Sequence, residues 1–79
     1  MKQNILIVED HELTRFGLKT TFEGVDYVEN IYEADSAENA IKIFNENKID
    51  IIIMDLGYCY VFVLFVVLLN QQIFVLPPL

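Results

Sequence analysis

The chain has 79 residues, with twelve Asp and Glu against five Lys and Arg and a formal net charge of −7. That length allows one small domain, and scattered cations on an acidic background exclude a nucleic-acid surface, which needs clustered Lys and Arg. Cys59 is the one cysteine, so an internal disulfide is excluded; with no secretory signal in the short apolar run before Glu9 and Asp10, the expected location is the cytoplasm.

Asn4 to Glu9 (N-I-L-I-V-E) is a continuous apolar run with β-branched residues that ends in acids, the pattern of a strand buried on both faces of a parallel sheet. A helix is predicted from Leu13 to Glu23. Its apolar residues Leu13, Phe16, Gly17, Leu18 and Phe22, with Val25 beyond, step by three or four and imply a broad buried face. Gly24 sits where a helix end favours a residue that tolerates positive φ. A weaker strand is placed at Ile31 to Ala34, with a start as early as Tyr27.

Asp35 followed by Glu38 has capping-box spacing, and Ala37, Ala40, Ile41 and Phe44 trace one helical stripe. Asn45 to Lys48 ends that helix. Ile49 to Leu56 (I-D-I-I-I-M-D-L) reads as another buried strand. Strand, helix, strand, helix, strand at this spacing predicts an α/β fold with parallel strands and right-handed crossovers.

Every charged side chain lies between Lys2 and Asp55, and Leu56 to Leu79 has none. Tyr58 to Leu69 is uninterrupted apolar and aromatic sequence, followed by Asn70-Gln71-Gln72 and then Ile73 to Leu79. This tail has no amphipathic period. Its apolar run falls short of the roughly twenty residues that span a bilayer. Residues 58–76 therefore leave a membrane helix as a rival reading only, and strand against buried helix stays open. The division expected is 1–57 as the domain-like part and 58–79 as an apolar tail of unassigned structure.

In open α/β sheets the functional crevice lies beyond the carboxyl ends of the strands. Glu9 and Asp10 follow the first predicted strand, and Asp55 ends the third. If those strands are neighbours, the three carboxylates converge and repel one another unless a cation or proton relieves them. Hard oxygen ligands of this kind suit Mg²⁺, and a carboxylate beside such an ion can attack a phosphoryl group. The same acids are also consistent with ordinary solvated strand ends.

Ile5 to Glu12 (I-L-I-V-E-D-H-E) together with Asp50 to Leu56 (D-I-I-I-M-D-L) resembles the response-regulator receiver domain of two-component signalling. The helix opening Leu-Thr-Arg-Phe-Gly-Leu and the segment E-A-D-S-A-E-N-A-I are similar to it as well, and the resemblance covers about Asn4 to Gly57. It implies a flavodoxin-like fold, here a partial doubly wound parallel sheet, whose aspartate takes a phosphoryl group from a sensor histidine kinase or phosphotransfer protein. By position, Asp55 would be the phosphoacceptor. Asp10 directly, Glu9 largely through water, and the backbone carbonyl of Gly57 would help hold Mg²⁺. His11 reads as a loop side chain, and Thr14 and Arg15 as helix surface. The chain would be a kinase substrate more than an enzyme.

The resemblance stops after the acceptor. Tyr58 and Cys59 stand where receivers usually carry Met and Pro. No Lys follows Asp55 and no Ser or Thr follows Ser36, so the hydroxyl and the lysine that assist phosphorylation in the family are missing. A truncated or frameshifted receiver with impaired activity is expected. In a flavodoxin-like order, losing strands four and five would leave the third strand as an open edge, a site for self-association, unless the tail folds back over it. The rivals are an interaction protein acting through that edge, a membrane-associated peptide and a product without function.

Overall fold

The computed structural model describes residues 2–55 and 72–76, with Asp55 and 72–76 described by backbone alone. Six elements follow in chain order: β1 (Gln3–Val8), α1 (Glu12–Glu23), β2 (Val28–Ala34), α2 (Ala37–Glu46), β3 (Ile51–Asp55) and β4 (Gln72–Leu76). The strands form a parallel sheet in the order β2-β1-β3-β4.

Because successive residues of a strand point to opposite faces, the unbroken apolar run of β1 supplies both sides of the sheet. Leu6 and Val8 join Ala34, Ala40, Ile49, Ile52 and Met54 in one core, covered by Ile41 and Phe44 of α2. Ile5 and Ile7 join Ile53 in a second, covered by Leu18 and Phe22 of α1. The central position of β1 is thus legible in its composition: a strand with neighbours on both edges and helices on both faces has no exposed side to make polar.

The helices are capped differently from expectation. α1 begins one residue earlier, with His11 as its N-cap. Ser36, not Asp35, caps α2, its hydroxyl accepting from the Asn39 N–H at 3.2 Å. Asp35 instead receives the Asn39 side-chain amide. Gly24 does end α1, but at φ −93°, so no left-handed conformation is needed there. The broad buried face assigned to α1 is narrower: Leu18 and Phe22 pack on the sheet, whereas Leu13 and Phe16 are 72% and 63% exposed.

β2 is an edge strand that begins at Val28, next to the earlier start allowed for it at Tyr27, with an irregularity where Gln3 and Asn4 pair with Val28 and Asn30. Its exposed Glu29, Asn30 and Glu33 disfavour the addition of another strand. At the other edge the structure takes the alternative in which the tail folds back over the third strand. β3 is not open, because Gln72–Leu76 pairs along its whole length, from Ile51↔Gln72 to Asp55↔Leu76. Residues 72–76, the end of the stretch considered as a membrane span, are therefore strand in the sheet, and among the described residues no helix is long and apolar enough to cross a membrane. Gly57, Cys59 and the run from Tyr60 to Leu69 lie outside the described residues.

Candidate functional site

Strand register builds the site. β1 and β3 pair in parallel from Ile5↔Ile51 to Val8↔Met54, so the next residues, Glu9 and Asp55, stand at the same level at the carboxyl edge of adjacent strands. β2 lies on the far side of β1 and β3 on the near side. From β1 the chain adds β2 on one side and then crosses back to add β3 on the other, so the strand order reverses between β1 and β3, the topological position at which open α/β sheets bind ligands.

Glu9 is held at three points. Its N–H donates to the Ala34 carbonyl at 3.0 Å, extending the β1–β2 ladder one step past β1. Its carboxylate accepts the His11 N–H at 3.1 Å. Its carbonyl accepts from Arg15 Nη1 at 2.8 Å. At 4% exposure it is the buried charged residue of the described chain. Among the described residues one N–H meets this carboxylate, and a carboxylate has acceptor sites for more. Asp10, next along, is exposed.

His11 and Arg15 are where sequence reasoning fell short. His11 is not a free loop side chain. Its Nδ1 accepts from the Thr14 N–H at 3.3 Å and lies 3.0 Å from the Thr14 hydroxyl, closing the first turn of α1. Arg15 is not plain helix surface. Besides reaching Glu9, its Nε lies 3.5 Å from one oxygen of Glu33, while Lys19 Nζ lies 3.3 Å from the other. The readable signal was the spacing of Arg15 and Lys19, four apart on one helix face, ahead of an acidic second strand.

A broad open groove beside the loop, of about 910 Å³, is lined in part by Asp10, His11, Leu13, Arg15, Phe16 and Glu33. Among the described side chains no three His, Cys, Asp or Glu groups converge. The described carboxylates at this edge are those of Glu9 and Asp10, and Asp55 is placed here by its backbone. Gly57, the expected carbonyl ligand, lies outside the described residues. The donor set is all hard oxygen, the chemistry Mg²⁺ takes, and the buried Glu9 carboxylate with spare acceptor capacity fits such an ion.

A parallel sheet flanked by helices on both faces, with acids at the carboxyl ends of its central strands, defines an open doubly wound α/β protein. The comparisons narrow this class. The response regulator receiver domain matches residues 5–57. Response regulator UvrY of Escherichia coli K12 is 36% identical over 54 residues, 68% of this chain and 25% of UvrY. Response regulator GacA of Pseudomonas viridiflava is 35% identical over 51 residues, 65% of this chain and 24% of GacA. The chain thus spans about a quarter of the length of these relatives.

Among solved structures, the RcsB–DNA complex superposes with a TM-score of 0.87 at 19% identity, over 98% of this chain and 43% of that one. The isolated receiver domain of Salmonella enterica RcsB, determined with the phosphomimetic BeF3⁻, gives 0.84 at 20%, over 98% of this chain and 62% of that one. At such identities these structures speak to the fold. This chain belongs to the response regulator receiver domain family of two-component signalling.

Proposed function

We propose that this chain accepts a phosphoryl group on Asp55, with Glu9, Asp10 and the Gly57 carbonyl holding Mg²⁺. The observation that carries the proposal is the β1–β3 register, which sets the buried Glu9 level with Asp55 across adjacent strands. The donor is a phosphohistidine of a sensor kinase or phosphotransfer protein. A carboxylate oxygen of Asp55 forms the new P–O bond as the P–N bond breaks, and the electron pair leaves with the imidazole nitrogen. Bound Mg²⁺ supplies neutralisation of charge on the transferred oxygens. Glu9 and Asp10 hold position, and the chain acts as substrate, with the chemistry of activation residing in the donor.

Partners follow from the same reading: a histidine kinase, and no nucleic acid through this acidic chain.

The test is incubation of the chain with Mg²⁺ and acetyl phosphate, followed by intact mass. One added phosphoryl group in wild type, absent from Asp55→Asn, is the expected result. A folded wild-type chain that gains none refutes the proposal, as does an adduct that persists in Asp55→Asn.

A further inference from the structure

We infer that Arg15 is a positioning residue for the metal-binding loop, acting on Glu9 and Asp10 through the Glu9 carbonyl. This inference rests on the Mg²⁺ reading above and adds a residue that the reading did not include.

Three elements meet at its guanidinium. Arg15 starts from the second turn of α1 and donates Nη1 to the Glu9 carbonyl at 2.8 Å. Its Nε pairs with Glu33 on β2 at 3.5 Å, with the Arg15 side chain 19% exposed. Lys19, one turn further on, occupies the second Glu33 oxygen at 3.3 Å. Glu33 is thereby held between two cations, and the fork of Arg15 is held by Glu33.

The loop needs this anchor because its other ties among the described residues are few. Past Val8 the β1–β2 ladder contributes one more bond, from the Glu9 N–H to Ala34. The Glu9 peptide then turns out of the sheet toward α1. Arg15 catches the carbonyl of that peptide, and the His11 N–H catches the carboxylate at 3.1 Å. Glu9 is therefore fixed on both its backbone and its side chain, and Asp10 begins at the carbonyl that Arg15 grips.

A planar fork with donors in fixed directions can bridge a carbonyl and a carboxylate at once, whereas an ammonium is a point charge on a flexible stem. Lysine at this position would keep the charge and lose the geometry. That difference separates positioning from simple electrostatics. A cation near a divalent-metal site repels the metal, so as a mere charge Arg15 weakens Mg²⁺ binding, and its removal would tighten it. As a positioner Arg15 strengthens binding, and its replacement loosens it.

The experiment is a titration of the full chain with MgCl₂, followed by the amide NMR shifts of Asp10 and His11. It is run on wild type, Arg15→Lys and Arg15→Gln, with the amide signals of Ile5 to Val8 as the control for an intact sheet. Wild type is expected to titrate, and both variants to bind Mg²⁺ about tenfold more weakly, the scale on which partners that orient ligands act. Unchanged affinity in Arg15→Lys, or tighter binding in Arg15→Gln, overturns the positioning role while leaving the metal site standing. If one variant loses the sheet signals, the other decides by its sign. A folded wild-type chain whose Asp10 and His11 amides ignore Mg²⁺ overturns the metal reading itself, and the role of Arg15 with it.

Discussion

The register that aligns Glu9 with Asp55 is secured at the opposite end of the same two strands, by Asp50. Its carboxylate accepts the Asn4 N–H at 2.8 Å, and its own N–H donates to the Asn4 carbonyl at 3.0 Å. Asn4 also donates its side-chain amide to the Lys48 carbonyl at 2.8 Å and accepts from Asn30 of β2 at 3.1 Å. Asp50→Ala removes the charged acceptor and leaves the Asn4 N–H without it. A hydrogen bond to a charged group contributes about 1.5–3 kcal/mol. Because Asp50 is half-buried, the lower part of that range applies, about 2 kcal/mol.

In a domain of this size about 1 kcal/mol moves Tm by roughly 4–8 °C, so a fall of roughly 8–16 °C is expected. A core this small rarely supplies more than about 3–5 kcal/mol, which makes the loss a large share of the total. Asp50→Asn keeps an acceptor without the charge, and charge-assisted bonds are about twice as strong as neutral ones, so it should fall near the midpoint. Thermal and urea unfolding followed by circular dichroism measures both. Asp50→Ala within about 0.5 kcal/mol of wild type would refute the reasoning, as would an Asp50→Asn variant less stable than Asp50→Ala.

Ile52 is fully buried and stands between Leu6 and Ile73 in adjacent ladders. Ile52→Ala should cost about 2–5 kcal/mol and abolish cooperative urea unfolding, while Ile52→Val, at about 0.5–1.5 kcal/mol, should retain it; equal stability of the two would mean the site is not packed. Phe16, 63% exposed, predicts the opposite behaviour. Phe16→Ser should change stability by less than about 0.5 kcal/mol in urea unfolding, and a loss of several kcal/mol would show that its ring is covered.

Much of the fold was readable because burial leaves a compositional trace. The runs Ile5 to Val8 and Ile51 to Met54 have no polar position, which requires cover on both faces. The stripe of Ala37, Ala40, Ile41 and Phe44 shares one helix side, and all four pack into one core. The acids at the ends of β1 and β3 were legible as candidates for the same reason, since each marks where an apolar run stops.

What failed to show depends on neighbours. Helical spacing groups Leu13 and Phe16 with Leu18 and Phe22, but it does not say how far the sheet extends beneath the helix. The described structure buries the later pair and leaves the earlier pair exposed. Asp35 and Ser36 are both competent caps, and the path of the chain leaving β2 at Ala34 selects Ser36. The pairing of Arg15 with both Glu33 and Glu9 joins residues from α1, β2 and the loop between β1 and α1, which no local pattern relates.

The sequence by itself determined the alternation of strands and helices, the faces that β1 and α2 bury, and the family, because apolar periodicity and motif spacing are properties of adjacent residues. Tertiary structure alone decided that Gln72–Leu76 closes the edge of β3, that Glu9 is buried, and that Arg15 grips its carbonyl. Those outcomes depend on which segments lie beside one another, and strand register is settled by the packing of the whole sheet.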